Sequence, residues 1–225
     1  MAAELITRHQ RDRLRSALVD DAVVVVPHFG GYVLAALLSR GEAIRTLGRV
    51  AEVVGDGTSP MCVVGRPSQA ASLSSDWDIN AQGLTERMWP GPLTVGVSAS
   101  AQLIGLAADD DDNFRIAMAS SRIMRTVVDE VGPLLTFALS GRDGVPVETA
   151  ADAAALCADV PVTLVVDGGR CGGLGATVVD CTHTPPVVRR VGRLPESYVD
   201  AVLIMGAFKR RRWFSQRKSP GIAGS

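Results

Sequence analysis

At 225 residues, with 47% hydrophobic content but only 4% aromatics, the chain is long enough to bury a core built from Val, Leu, Ile and Ala. A net charge of −1 excludes a protein that binds nucleic acid or a membrane surface through its bulk charge. That charge is unevenly spread: Lys209, Arg210, Arg211, Arg212, Arg217 and Lys218 are six of 23 basic residues, leaving 17 against 24 acidic ones, about −7, for everything before them.

Residues 4–18 read as an amphipathic helix with a basic face, running into a β-branched strand at 22–27 that Pro27 stops. A helix is predicted over 42–54, ended by Gly-Asp-Gly-Thr-Ser-Pro, with a strand at 61–65 after it. Another helix covers about 76–88, and the prolines of Trp-Pro-Gly-Pro at 89–92 force an extended entry into the next strand. The acidic run 109–112 reads as a solvated loop before a strand at 114–119. A helix at 122–130, a strand at 133–139, a helix at 149–157 and strands at 162–167, 176–180 and 187–190 follow. A last helix opens at Pro195, a residue suited to the first helical turn. Irregular alternation of strands and helices predicts a mixed-sheet α/β domain. With no internal repeat or low-complexity linker before residue 208, residues 1–208 are expected to form one domain and 209–225 a flexible basic tail.

The N-terminal stretch lacks the apolar run of a cleavable signal, and the longest apolar runs fall short of a bilayer span. A soluble, cytoplasmic protein with no membrane partner is the expectation. Cys62, Cys157, Cys171 and Cys181 form no C-x-x-C pair, and Cys171, Cys181 and His183 are too unevenly spaced for a zinc site. They are expected to be buried free thiols, with no metal site.

Between two of the predicted strands, residues 165–180 read Val-Val-Asp-Gly-Gly-Arg-Cys-Gly-Gly-Leu-Gly-Ala-Thr-Val-Val-Asp. Clustered glycines allow backbone N–H groups to turn inward around an anion, or serve simply as a loose turn. The residues alone leave both readings open.

Three pieces in order, Trp-Pro-Gly-Pro-Leu-Thr at 89–94, Ala-Thr-Val-Val-Asp at 176–180 and the stretch at 190–203 that opens Arg-Val-Gly-Arg-Leu-Pro, resemble the YrdC-like family. The similarity extends over about 21–203, nearly the whole chain. The resemblance implies a twisted mixed sheet with flanking helices around a central, positively charged cavity. It further implies synthesis of threonylcarbamoyl-AMP from threonine, bicarbonate and ATP with Mg, for threonylcarbamoyladenosine modification of tRNA; some members bind double-stranded RNA. No other cofactor is expected.

The family's Pro-Thr-Asp-Thr-Val-Tyr-Gly-Leu segment reads Pro-His-Phe-Gly-Gly-Tyr-Val-Leu here, so Pro27, Tyr32 and Leu34 match while His28 stands at the first threonine. The catalytic lysine and arginine fall at Val53 and Gly55, and the Arg-x-Pro element at Ala117 and Ala119, with Arg115 as the nearby cation. Depending on a two-residue gap, Thr136-Phe137-Ala138 or Ala138-Leu139-Ser140 occupies the Ser-x-Asn position. Thr177 and Arg190 remain from the nucleotide wall, with Ala176 replacing a serine. The mapped ligand-binding residues are therefore His28, Tyr32, Ser140, Thr177 and Arg190, and no catalytic residue is carried over. Replacing cations by Val, Gly and Ala removes charge stabilisation from a triphosphate, where one well-placed group is worth roughly two to three decades in rate.

Three functions are consistent with these residues. One is a divergent synthase with weakened or lost catalysis. The second is a non-catalytic paralogue binding a nucleotide, an adenylated metabolite or a partner. The third is an RNA-binding module, for which Lys209, Arg210, Arg211, Arg212 and Trp213 combine cations with an aromatic ring. The same tail composition also suits a merely solubilising end.

Overall fold

The computed structural model describes residues 3–101, 103, 113–141 and 143–205. The acidic run 109–112 and the basic tail lie outside these described residues.

The chain begins with strand β1 (Glu4–Thr7) and only then forms helix α1 (Arg11–Val19), which corrects the single helix expected over 4–18. Glu-Leu-Ile-Thr alternates, with Ile6 buried and its neighbours exposed, and β1 pairs in parallel with β8 (Leu164–Asp167) from Glu4↔Leu164 to Thr7↔Asp167. A half-buried sheet edge overrides the helical periodicity that these residues share with α1. Strand β2 (Val24–His28) turns back through Gly30 into β3 (Gly31–Leu37), an antiparallel pair whose second strand the sequence reading did not assign.

Helix α2 (Gly41–Val54) leads to β4 (Met61–Val64). A further short helix, α3 (Pro67–Leu73), opens with proline in its first turn; α4 (Ile79–Met88) is capped by the Asp78 carboxylate, which accepts from the Ala81 amide at 2.7 Å. Beyond Trp-Pro-Gly-Pro runs β5 (Leu93–Ser98), launched from a turn that the Trp89 indole closes by donating to the Leu93 carbonyl at 2.9 Å. Strand β6 (Asn113–Met118), helix α5 (Arg122–Val131), β7 (Leu134–Ala138), α6 (Ala150–Leu156), β9 (Thr177–Asp180) and β10 (Val187–Arg190) follow, with a last helix over 196–205.

The ten strands of the described residues form one mixed sheet in the order β1-β8-β2-β3-β7-β4-β6-β5-β9-β10. Strand alternation sends Val25, Leu34, Cys62, Ile116 and Val179 to one face and Val24, Val26, Val33, Val63 and Leu164 to the other. The first face packs under α2, α4 and α6; the second packs under α1 and α5. Burial on both faces explains why the central strands read as continuous apolar runs rather than alternating ones. Among the described residues no helix is long and apolar enough to cross a membrane. All four cysteines are free thiols, but Cys171 is only half-buried, which corrects the expectation of full burial for this one.

Candidate functional site

The β2–β3 turn and the glycine loop 168–175 pack directly on one another. Gly30 has φ +88°, and a Cβ there would lie 2.8 Å from the Gly175 Cα, so both the backbone conformation and the close approach require glycine. Tyr32 staples the contact. Its side chain is fully buried, its hydroxyl donates to the Gly169 carbonyl at 2.7 Å, and it accepts from the Gly168 amide at 3.1 Å. Burial pushes the phenol up to about 12, with the Gly168 amide acting in the opposite sense, so the hydroxyl stays protonated as the loop bond requires.

At the other end of the loop, Thr177 is a buried hub. Its hydroxyl donates to the Leu194 carbonyl at 2.7 Å and accepts from the amides of Gly192 at 2.8 Å and Leu194 at 3.1 Å. The capacity of that hydroxyl is spent on fixing 190–194 against β9, which positions Arg190 on the exposed side of β10. One Arg190 nitrogen donates to the Ala176 carbonyl at 3.1 Å. Arg193, which the sequence reading did not single out, holds the loop from outside: Nε donates to the Leu174 carbonyl and a terminal nitrogen to that of Gly172, both at 2.7 Å, with its guanidinium 6.0 Å from the Phe29 ring centroid. Its signal was the second arginine of the Arg-Val-Gly-Arg-Leu-Pro piece, to which the resemblance attached no role. Tyr32, Thr177 and Arg190 thus converge on the two ends of one loop.

His28 and Ser140 sit elsewhere. His28 ends β2 as a buried neutral imidazole: Nδ1 accepts from the Phe29 amide at 2.7 Å, Nε2 has no partner among the described residues, and desolvation lowers the ring to about 4. Ser140 lines a groove of about 450 Å3 with Val53, Gly55, Asp56 and Asp159.

Val53 and Gly55, the residues near which the sequence reading places the family's lysine and arginine, both line that groove. Val53 is 70% exposed on the last turn of α2. Gly55 ends that helix, and a Cβ there would lie 2.4 Å from the Ala51 carbonyl oxygen, so a side chain requires the backbone to shift. Ala117 is fully buried between Val63 and Thr94 in the sheet register. The nearby Arg115 guanidinium donates to the Ser59 carbonyl at 2.6 Å, and the Thr136 hydroxyl donates to the Met61 carbonyl at 2.8 Å. Two carboxylates, Asp56 and Asp159, line the groove, and negative charge there repels rather than gathers phosphate. No group of three or more His, Cys, Asp or Glu that could hold a metal ion occurs among the described residues.

A family model of the Sua5/YciO/YrdC type, described as telomere recombination, matches residues 16–192. The chain is 26% identical to the threonylcarbamoyl-AMP synthase of Pyrococcus abyssi over 60% of its own length and 40% of that protein's. It is 25% identical to the Bacillus subtilis threonylcarbamoyl-AMP synthase over 89% of its own length, so it spans 58% of that relative. The fold matches that of Escherichia coli YciO with a TM-score of 0.73 at 20% identity, covering 87% of this chain and 98% of that one.

Proposed function

The chain belongs to the Sua5/YciO/YrdC family, and on that premise we propose that it is a divergent, synthase-derived protein that binds an adenylated metabolite or nucleotide and makes threonylcarbamoyl-AMP very slowly or not at all. The observation that carries this reading is the replacement of mapped triphosphate-binding residues by Val53, Gly55 and Ala117, beside a groove that holds Asp56 and Asp159. An acyl adenylate carries one phosphate charge, whereas ATP carries several. Arg190, on β10 beside the glycine loop, suits the first demand, and nothing at the mapped positions suits the second. In this role Tyr32 and Thr177 are positioning residues: they hold the loop and the Arg190 segment in register and touch no reacting atom.

Calorimetry of the full chain with threonine, AMP and a non-hydrolysable threonyl adenylate tests this directly. Adenylate binding should weaken about ten- to a hundredfold in Arg190→Ala, the 1.5–3 kcal/mol of one charge-assisted contact. Absence of any nucleotide or adenylate binding by the parent protein defeats the reading.

A second reading rests on the composition of 209–225: Lys209, Arg210, Arg211 and Arg212 beside Trp213 suit neutralisation of RNA phosphates with base stacking. On this reading 1–208 form the folded body and the tail is an appended polyanion-binding segment.

A further inference from the structure

On the sheet face covered by α1 and α5, away from the groove at Val53, a cavity of about 130 Å3 opens between the start of α1, the end of β2 and the start of α5. Its floor is apolar, formed by Ile6, Leu14, Met124 and Val166. Its rim is cationic: Arg8 and Arg11 line it together with Ser121, and no Asp or Glu is among the lining residues. The volume is well below the roughly 300–1,000 Å3 of a site for a drug-sized ligand, which excludes a nucleotide.

The ion pairing of the arginines at this end of the chain separates along the same line. Arg13 is paired with Glu4, and Arg15 reaches Glu130 at 3.8 Å, each bond tying α1 to another element. Arg11 has only its sequence neighbour Asp12, at 3.8 Å, and Arg8 makes no ion pair among the described residues. Among the described residues, the two arginines on the cavity are therefore those whose charge no other element neutralises. Ser121, also on the lining, caps α5 by accepting from the Met124 amide at 3.1 Å. Beside the cavity, the inner wall is closed by the Ser120 hydroxyl, which donates to the Pro27 carbonyl at 3.2 Å, immediately before His28 with its unpartnered buried Nε2.

We propose that this cavity binds a small aliphatic carboxylate, with the carboxylate held by Arg8 and Arg11 and the short hydrocarbon part laid on Ile6, Leu14, Met124 and Val166. The planar guanidinium fork matches a carboxylate, and the apolar floor disfavours an ion polar on every side, such as inorganic phosphate. The lack of a lining carboxylate disfavours a zwitterionic amino acid, whose ammonium would find no charged partner. Gly168 and Cys171 of the glycine loop also line the cavity, but Arg190 does not, so the carboxylate assignment rests on Arg8 and Arg11 and not on the adenylate reading.

Titration of the isotopically labelled full chain with butyrate, inorganic phosphate and L-threonine, followed by NMR, tests the assignment. Butyrate should shift the methyl signals of Ile123 and Met124 saturably, and the Arg8→Gln/Arg11→Gln double variant should weaken that binding at least tenfold. Arg13→Gln, whose charge is already paired with Glu4, should leave it unchanged. Should the double variant unfold, the single variants at these exposed positions carry the same test, each expected to weaken binding severalfold. The proposal is overturned by the absence of a saturable butyrate shift, by undiminished binding in the arginine variants, or by phosphate or threonine binding as tightly as butyrate.

Discussion

Acid should destabilise this protein through one identifiable ring. His28 is buried, its Nδ1 accepts from the Phe29 amide at 2.7 Å, and its Nε2 has no partner among the described residues. Protonation would place a second N–H against an N–H donor, breaking that bond and leaving a buried charge with no compensating group. Burial lowers the ring from 6.5 in the unfolded chain to about 4 in the fold. Below pH 6.5 the unfolded state therefore binds the proton that the folded state refuses, so stability is fully present above 6.5 and is lost as pH falls toward about 4. At about 1.36 kcal/mol per unit, the full loss is about 3 kcal/mol, a large share of the 5–15 kcal/mol typical of a domain. Urea unfolding of the parent and of His28→Phe, measured at steps from neutral pH down to about 4, isolates the effect, because the acidic side chains titrate in both proteins and cancel in the difference. The parent should lose stability more steeply than the variant by about 1 kcal/mol per pH unit in this window. Parallel curves would refute the reasoning, since they would mean that the ring titrates alike in the folded and unfolded states.

Three other outcomes follow from the loop and the tail. Tyr32→Phe removes both bonds to the glycine loop; it should cost about 1–3 kcal/mol and accelerate amide exchange at Gly168, checked by native-state hydrogen exchange. Thr177→Val leaves two amides and one carbonyl unpartnered and should cost about 2–3 kcal/mol in thermal or urea unfolding, whereas Thr177→Ser should recover most of it. If the tail binds RNA by contacting about four phosphates, the slope of log affinity against log salt should be near −3 to −4, and truncation after residue 208 should abolish binding; equal binding by both forms would refute a role for the tail.

The architecture was legible wherever burial wrote a plain pattern. Strands at 61–65, 114–119 and 133–139 and the helices at 42–54 and 122–130 emerge near their expected bounds because long apolar runs and amphipathic periods survive in their final environment. Residues 4–7 were misread since a four-residue edge strand and a helical turn give similar short-range signals, and pairing with β8 more than 150 positions away decides between them. Strand β3 was hidden by its alanines and by Gly31, which are poor strand formers held in place by β2 on one side and β7 on the other. At the site, motif order pointed to Tyr32, Thr177 and Arg190, but no residue type reveals how many hydrogen bonds a hydroxyl has already committed. That Thr177 is a structural hub, and that Arg193 grips the loop through two carbonyls, depends on backbone positions brought together from 172 to 194. The cavity rimmed by Arg8 and Arg11 was invisible for the same reason: β1, α1, β2, α5, β8 and the glycine loop build it together.

Pyrophosphate release from Mg-ATP in the presence of threonine and bicarbonate tests the central claim most directly. If Val53, Gly55 and Ala117 replace the family's cations as proposed, the purified full chain should release pyrophosphate little faster than a control without protein, while still binding the adenylate. Turnover within about tenfold of an ordinary enzyme rate, on the order of one per second, would contradict it, because other side chains would then have to supply the missing charge.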